Sequence, residues 1–452
     1  MNIVIIGAGK VGRTLASALI AEDHDVTLID NNPEMVARMQ NSLDAICLEG
    51  DGAVADVQKE AGVEKAGLVI AVTPSDELNI FCCLIAKRLG AKQTIPRVRT
   101  PAYFRQMGLV KDELRLPMII NPELAAADEI LRVLIFSTAS KVEVFGKGKL
   151  ELVEYHLPQK NSLNNMSLRE IYQKIKTRFL ICAVQREDDV YIPGGNFILQ
   201  GGDWIHIVAT HRNIERVFRF SGSRTEKVKS VMIVGGGTMC YYLAQQLLDL
   251  GMKLKIIEID HDRCMDLAEM FPKAVIVQGD GTDQALLLEE GVRDVDAFVA
   301  LTGMDEENIL LSLYAKEAAD VKVITKVDRD NYAELAEDLG LDCVITAKNL
   351  TTDNVISYVR SKIDEADSDM ESMYRLVGDQ VEAVEFQVRE RIPDLTDIPL
   401  KYLHLKKDIL VCAIVRGNEI IIPNGDESVQ VGDQVVVVSK DYHFSKLREI
   451  LE

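Results

Sequence analysis

Asn2-Ile3-Val4-Ile5-Ile6 runs directly into Gly7-Ala8-Gly9-Lys10-Val11-Gly12. A continuous apolar run closed by glycine is the pattern of a strand buried on both faces, and Arg13 to Ala21 then carries apolar residues at helical spacing. The glycines therefore fall on a strand-to-helix turn. There Gly7 permits the tight bend, Gly9 lets a pyrophosphate approach the backbone, and Gly12 lets the helix lie close on the strand. The free N–H groups at the helix start, with the helix dipole behind them, face an anion. Further on, the run Val26-Thr27-Leu28-Ile29 ends in Asp30. A carboxylate at that strand end can accept both hydroxyls of an adenosine ribose. Gly-x-Gly-x-x-Gly alone is weak; strand, turn, helix and acid together specify a Rossmann-type mononucleotide half.

The pattern returns. Val231-Met232-Ile233-Val234 leads into Gly235-Gly236-Gly237-Thr238-Met239-Cys240, and Lys255-Ile256-Ile257 ends in Glu258; Gly235 follows Gly7 and Glu258 follows Asp30 at one and the same spacing. Asp280 follows Asp51, Thr302 follows Thr73 and Lys326 follows Arg97, again at a spacing common to all three, and Asp305-Glu306-Glu307-Asn308 repeats Asp76-Glu77-Leu78-Asn79. Between the two copies the alternation of strands and helices gives way at Ser140 to short strands, with a helix near Ser167 to Lys176. This smaller unit recurs as well, Cys412-Ala413 matching Cys182-Ala183 and Gly432-Asp433 matching Gly202-Asp203 with no shift of register between the two pairs. Agreement over so many positions makes the chain a tandem duplication of a two-domain module. The fold class expected is α/β, two Rossmann-like parallel-sheet domains, each followed by a small α+β domain. The boundaries expected are 1–123 for the first nucleotide-binding domain, 124–139 for a crossover helix, 140–221 for the first small domain and 222–229 for a linker. The second copy spans 230–348, a crossover helix 349–369 and a small domain 370–452. Within the first domain Met118-Ile119-Ile120 is expected as a sixth strand and Glu123 to Ser137 as one amphipathic helix, and the polar stretch Phe220 to Lys227 as the linker.

Composition narrows the function. A length of 452 residues calls for two to four domains. A net charge of −20 argues against nucleic acid, whose phosphates require clustered Lys and Arg, and against electrostatic attachment to an anionic membrane. No apolar run approaches the roughly 20 residues of a membrane span. The amino terminus lacks the basic and apolar regions of a signal peptide, so the expected location is the cytoplasm. The eight cysteines form no Cys-x-x-Cys pattern and are expected reduced and buried, with no metal site. The seven histidines never fall at equivalent positions of the two copies, and no catalytic constellation stands out.

The Gly-Ala-Gly-Lys-Val-Gly turn, Ile29-Asp30, Gly50-Asp51, Ala71-Val72-Thr73 with Asp76-Glu77 and Asn79, and Arg97-Val98-Arg99 resemble the domains that regulate potassium conductance (RCK domains). The duplication, with a small C-terminal domain after each half, is similar over essentially the whole length to the TrkA family of bacterial Trk potassium uptake systems. The resemblance implies a cytoplasmic, peripheral, non-catalytic regulatory subunit that binds NAD (NAD+ or NADH) and responds to ATP/ADP. It implies a homo-oligomer, a tetramer forming a ring of eight nucleotide-binding domains, beneath a TrkH- or TrkG-type membrane potassium transporter at the inner face of the membrane. Carried onto this sequence, it implies that Gly7, Ala8, Gly9, Lys10 and Val11 hold the phosphates, Lys10 adding a positive charge, with Gly12 completing the turn of the cofactor site. Asp30 would take the adenosine ribose and disfavour a 2′-phosphate. Asp51 would flank the adenine end, Thr73 and Pro74 would floor the cleft, and Arg97 would neutralise phosphate. In the second copy Gly235, Gly236, Gly237, Thr238, Met239, Glu258, Asp280 and Thr302 would play the matching parts. Thr238 there replaces Lys10 and Cys240 replaces Gly12, so a weaker or different nucleotide is expected. The sequence leaves open whether NAD(H) or ATP/ADP is the ligand. It also leaves open an NAD-dependent oxidoreductase with an unrecognised substrate site, and a binding module for another kind of transporter.

Overall fold

The computed structural model describes residues 1–136, 138–146, 148–223, 227–319, 321–341, 343–362, 369–378 and 380–452. Ser137 of the expected first crossover helix, Arg224 to Glu226 of the linker and 363–368 of the second crossover helix lie outside them. The first half begins with strands β1 (Asn2–Ile6), β2 (Asp25–Asp30), β3 (Ile46–Glu49), β4 (Leu68–Ala71) and β5 (Gln93–Pro96). They form one parallel sheet in the order β3-β2-β1-β4-β5. Helices α1 (Lys10–Ala21), α2 (Pro33–Ser42), α3 (Ala55–Glu60), α4 (Asp76–Leu89) and α5 (Pro101–Val110) connect and follow these strands, and α6 (Pro122–Ile135) leads on. β1 and β4 are almost wholly buried, as runs of Ile and Val between two layers of helix should be. The strand order reverses between β1 and β4, so a crevice opens beyond their carboxyl ends, where Gly7 and Thr73 stand.

The chain then forms β6 (Lys141–Phe145), β7 (Leu150–His156), α7 (Leu168–Ile175), β8 (Phe179–Arg186), β9 (Asp189–Tyr191), β10 (Trp204–Ala209) and α8 (His211–Ser221). Its sheet is antiparallel, in the order β6-β7-β10-β8-β9. The second half repeats the first with β11 (Ser230–Val234), α9 (Thr238–Asp249), β12 (Lys253–Glu258), α10 (His261–Met270), β13 (Val275–Gln278), α11 (Gln284–Glu289), β14 (Ala297–Ala300), α12 (Asp305–Ala318), β15 (Lys322–Lys326), α13 (Asp330–Asp338), β16 (Val344–Ile345) and α14 (Ala347–Lys362). This sheet is parallel, β13-β12-β11-β14-β15-β16. β17 (Met370–Val377), β18 (Val381–Gln387), β19 (Ile409–Arg416), β20 (Glu419–Ile421) and β21 (Gln434–Lys440) then make the second small sheet, β17-β18-β21-β19-β20.

The chain divides into two units that pair like with like. Met1–Ile130 and Lys229–Ile356 form one, Leu131–Val228 and Ser357–Glu452 the other. In the first unit the halves are joined by Tyr242, whose hydroxyl accepts from Asn121 Nδ2 and donates to the Arg99 carbonyl, both at 2.9 Å. In the second unit an apolar cluster is shared, Phe145, Leu152 and Cys182 of one sheet packing with Val381, Cys412 and Val436 of the other. A five-stranded sheet of this size cannot cover both of its faces alone, and its twin supplies the missing layer.

Two expectations need correction, and two helices lie where none was expected. The sixth strand expected at Met118-Ile119-Ile120 is reduced to one bridge between Ile120 and Arg97, whereas its counterpart Val344–Ile345 pairs as a short strand. Helices α5 and α13 occupy stretches to which the sequence reading assigned no element, and α5 leaves Leu109 82% exposed. Phe220 and Ser221 close α8 rather than opening the linker. Ile214, Val217, Phe218 and Ser221 are buried at helical spacing, and the Ser221 hydroxyl donates to the Phe218 carbonyl, so the residue that looked like linker is core.

Candidate functional site

Gly7 adopts φ +106° and Gly235 φ +101°, the left-handed region open to glycine. A Cβ on Gly7 would lie 3.0 Å from the backbone of Val72 and Thr73. Gly9 and Gly237 cap α1 and α9 with nearly identical torsions, φ −66° for both and ψ −171° and −167°. Neither cap is satisfied by a side chain, so both helix starts present free N–H groups. The third glycine separates the copies: a Cβ at Gly12 would come within 1.8 Å of the Gly7 oxygen, while Cys240 carries one and is fully buried. Burial pushes the Cys240 thiol up to about 12, which leaves it neutral packing.

Each acid at the end of the second strand is locked to its own turn. Asp30 Oδ2 accepts from the Ala8 N–H at 2.6 Å and Oδ1 from the Asn32 N–H at 2.9 Å. Glu258 does the same with Gly236 at 2.6 Å and Asp260 at 2.9 Å, its extra methylene taken up without change of partners. With one bond on each oxygen, each carboxylate keeps acceptor capacity for a diol.

Beyond β4, Asn79 holds the floor together. Its Oδ1 accepts from the Thr73 N–H and hydroxyl, both at 2.7 Å, and its Nδ2 donates to the Thr73 and Arg97 carbonyls, both at 3.0 Å. Asn308 repeats the bracket with Thr302 and Lys326. Both asparagines are fully buried, and neither was among the expected site residues. The recurrence of Asn at the same place in both copies was the available signal. Asp76 ties in the next segment by accepting from the Arg99 and Thr100 N–H groups at 3.1 and 2.8 Å.

Arg97 donates from Nη2 to the Thr73 carbonyl at 2.7 Å, while its Nε is buried with no partner. Burial, and next the adjacent Arg99, lower its pKa. Arg99 Nη1 lies 3.6 Å from Glu123 Oε1, and Arg99 Nε and Glu123 Oε2 are also buried without partners. Burial raises the Glu123 carboxyl above its ordinary value. Such orphaned groups at the rim of a cavity are ready to bind polar atoms of a ligand. Asp51 and Asp280 sit exposed at the ends of β3 and β13, turned into their own loops through the Ala53 and Thr282 N–H groups.

All of this opens into one cavity of about 1190 Å³ shared by the two halves of the first unit. Gly7, Gly9, Lys10, Val11, Asp30, Asp51, Thr73, Pro74 and Arg97 line it from one half, and Gly235, Gly236, Gly237, Thr238, Met239, Glu258, Asp280 and Thr302 from the other. Ala8 and Gly12 are behind the turn, Ala8 buried and Gly12 against the Gly7 oxygen. Arg99, Glu123, Lys326, Asp328 and Lys348 also line it, none of them among the expected site residues. Lys10 crosses the cavity, its Nζ 3.4 Å from Asp328 Oδ2. Among the described residues no histidine lines this space, and no helix is long and apolar enough to cross a membrane.

Residues 3–122 and 231–347 match the TrkA-N domain family and residues 152–222 and 393–452 the TrkA-C domain family. The chain is 33% identical to a Trk system potassium uptake protein TrkA homolog of Methanosarcina mazei, over 97% of each chain. It is also 33% identical to a TrkA homolog of Archaeoglobus fulgidus, over 100% of each. Among solved structures it resembles the GsuK channel bound to NAD, at 15% identity and a TM-score of 0.63, over 97% of this chain and 77% of that one.

Proposed function

The chain belongs to the TrkA family of paired TrkA-N and TrkA-C domains, and from that premise we propose that it is the nucleotide-sensing regulatory subunit of a Trk-type potassium uptake system. It binds NAD(H) or ATP/ADP as a signal and bears on a membrane potassium transporter of the TrkH or TrkG type. The observation that carries this reading is the single cavity into which two turn-and-acid pairs open, Asp30 with one turn and Glu258 with the other. The helix-start N–H groups and Lys10 take the phosphates, Asp30 the adenosine ribose, and Asp51 flanks the adenine. Thr73 and Pro74 floor the cleft and Arg97 neutralises phosphate. The second cleft uses Gly235 to Met239, Glu258, Asp280 and Thr302; lacking a lysine at Thr238, it takes its nucleotide more weakly.

A ligand shifts such a protein only by its differential affinity for two arrangements of the halves, typically about 1–3 kcal/mol per coupling. Four chains in a ring of eight nucleotide-binding domains would sum that bias at a gate. The assignment of the halves follows the duplication, with nucleotide domains at 1–123 and 230–348, small domains at 140–221 and 370–452, and a place at the inner face of the membrane through the partner. The test is co-purification of the tagged chain with a TrkH-type transporter, with potassium flux read against added NADH and ATP. Flux that ignores both ligands in a stable complex overturns the reading. Turnover of NADH by the purified chain would instead favour the oxidoreductase.

A further inference from the structure

The two copies differ at two places that face each other. Lys10, the cation of the first turn, stands where the second copy has Thr238, and Asp328 stands where the first copy has Arg99, in the register that pairs Lys326 with Arg97. These exchanged residues meet: Lys10 Nζ lies 3.4 Å from Asp328 Oδ2. The other oxygen of the same carboxylate lies 3.3 Å from Lys326 Nζ. Asp328 is fixed from behind, its N–H donating to Asp305 Oδ1 at 2.9 Å, whereas Lys10 is a long side chain with 70% of its surface exposed. A held anion therefore faces a movable cation across the cavity.

We propose that Asp328 acts as an internal stand-in for ligand phosphate, holding Lys10 across the cavity until a nucleotide bound at the first turn takes the lysine from it. The proposal rests on the nucleotide reading above and assigns Asp328, from the other half, to the first half's site. Lys10 cannot serve the phosphate at its own turn and the carboxylate opposite at once. When it turns back, the ion pair joining the halves is lost and Asp328 is left to Lys326 alone. That further neutralises the cation at the end of β15, so an anion in the first cleft weakens anion binding in the second. The first cleft is thereby coupled to the arrangement of the halves through one side chain.

The experiment is calorimetric titration of the full chain with ADP, following the tighter binding step in wild type, Asp328→Asn, Lys10→Met and the double variant. Glu307→Gln, removing another carboxylate that lines the same cavity, controls for net charge. Asp328→Asn is expected to tighten ADP about two- to five-fold, the scale of an exposed ion pair. The double variant should bind no more tightly than Lys10→Met, while Glu307→Gln should act by the same factor with or without Lys10. Asp328→Asn acting equally in both backgrounds, or leaving ADP affinity unchanged, overturns the proposal while leaving the nucleotide site intact. If wild type takes up neither ADP nor NAD, or Asp30→Ala titrates like wild type, the nucleotide reading fails and this inference falls with it.

Discussion

Asp30 has two tasks at one carboxylate, clamping the Ala8 and Asn32 N–H groups and offering acceptor capacity to a ribose. Asp30→Ala should therefore cost about 1.5–3 kcal/mol of adenosine affinity, the scale of hydrogen bonds to a charged group. Titration with AMP or ADP checks it, and unchanged affinity would mean the ribose lies elsewhere. Asn79 touches no ligand in this scheme, yet it closes four hydrogen bonds in a fully buried place. Asn79→Ala strands the Thr73 N–H and the Arg97 carbonyl, while the Thr73 carbonyl keeps only the Arg97 guanidinium. The expected loss is about 1–3 kcal/mol of stability. Urea denaturation should show it, with nucleotide affinity falling as well because Thr73 and Arg97 are no longer held.

At the scale of elements, α1 meets its turn where no side chain fits: a Cβ on Gly12 would sit 1.8 Å from a backbone oxygen that cannot rotate away. Gly12→Ala should push α1 off the sheet and cost about 1–3 kcal/mol, lowering the thermal midpoint. In α9 the Cβ of Cys240 is native, so Cys240→Ala should cost less than about 1.5 kcal/mol. An equal loss at both positions would mean that the two turns pack alike. The glycines, the buried strand runs and the acids were legible because each is dictated locally, by backbone torsion or by burial on both faces of a strand. The joining of two clefts in one cavity was not, because it depends on packing between the two copies, far apart along the chain, and nothing near Lys10 announces Asp328. Asn79 lay between: its recurrence as Asn308 was visible, but a bracket between two strand ends is a tertiary fact. α8 was missed because Ser221 looks polar until its hydroxyl is seen bonded to the Phe218 carbonyl.

Across the whole molecule, duplication has placed identical positions in different electrostatic settings, and the second unit shows the consequence in its response to pH. Glu151 pairs with Ala209 in one small sheet, and Glu382, in the corresponding strand of the repeat, pairs with Ser439 in the other. Burial, with Glu215 adding repulsion, pushes the Glu151 carboxyl up to about 7, although His211 Nδ1 lies 3.4 Å away. Burial also pushes Glu382 up, but hydrogen bonds from His443 at 2.9 Å and Arg360 at 2.7 Å outweigh it and leave the group below its ordinary value. Arg132, in the helix α6 that corresponds to α14, instead donates its Nε to the Val142 carbonyl. The signs are opposite. Between the ordinary value of 4.5 and about 7, folded Glu151 keeps a proton that the unfolded chain has lost, so its contribution to stability falls as pH rises through that window. Glu382 stays ionised when folded, so it contributes stability above 4.5 that disappears as pH falls through its lowered value. Glu151→Gln should therefore be more stable than wild type at about pH 8, by about 1–3 kcal/mol once its solvent-exposed part is discounted, with little difference at about pH 4. Glu382→Gln should be less stable at about pH 8, because it leaves Arg360 buried beside a neutral amide, and the deficit should shrink as the medium becomes acidic. Thermal unfolding of the full chain across that range checks both. Parallel pH profiles for the two variants would show that the duplicated positions have kept one electrostatic role.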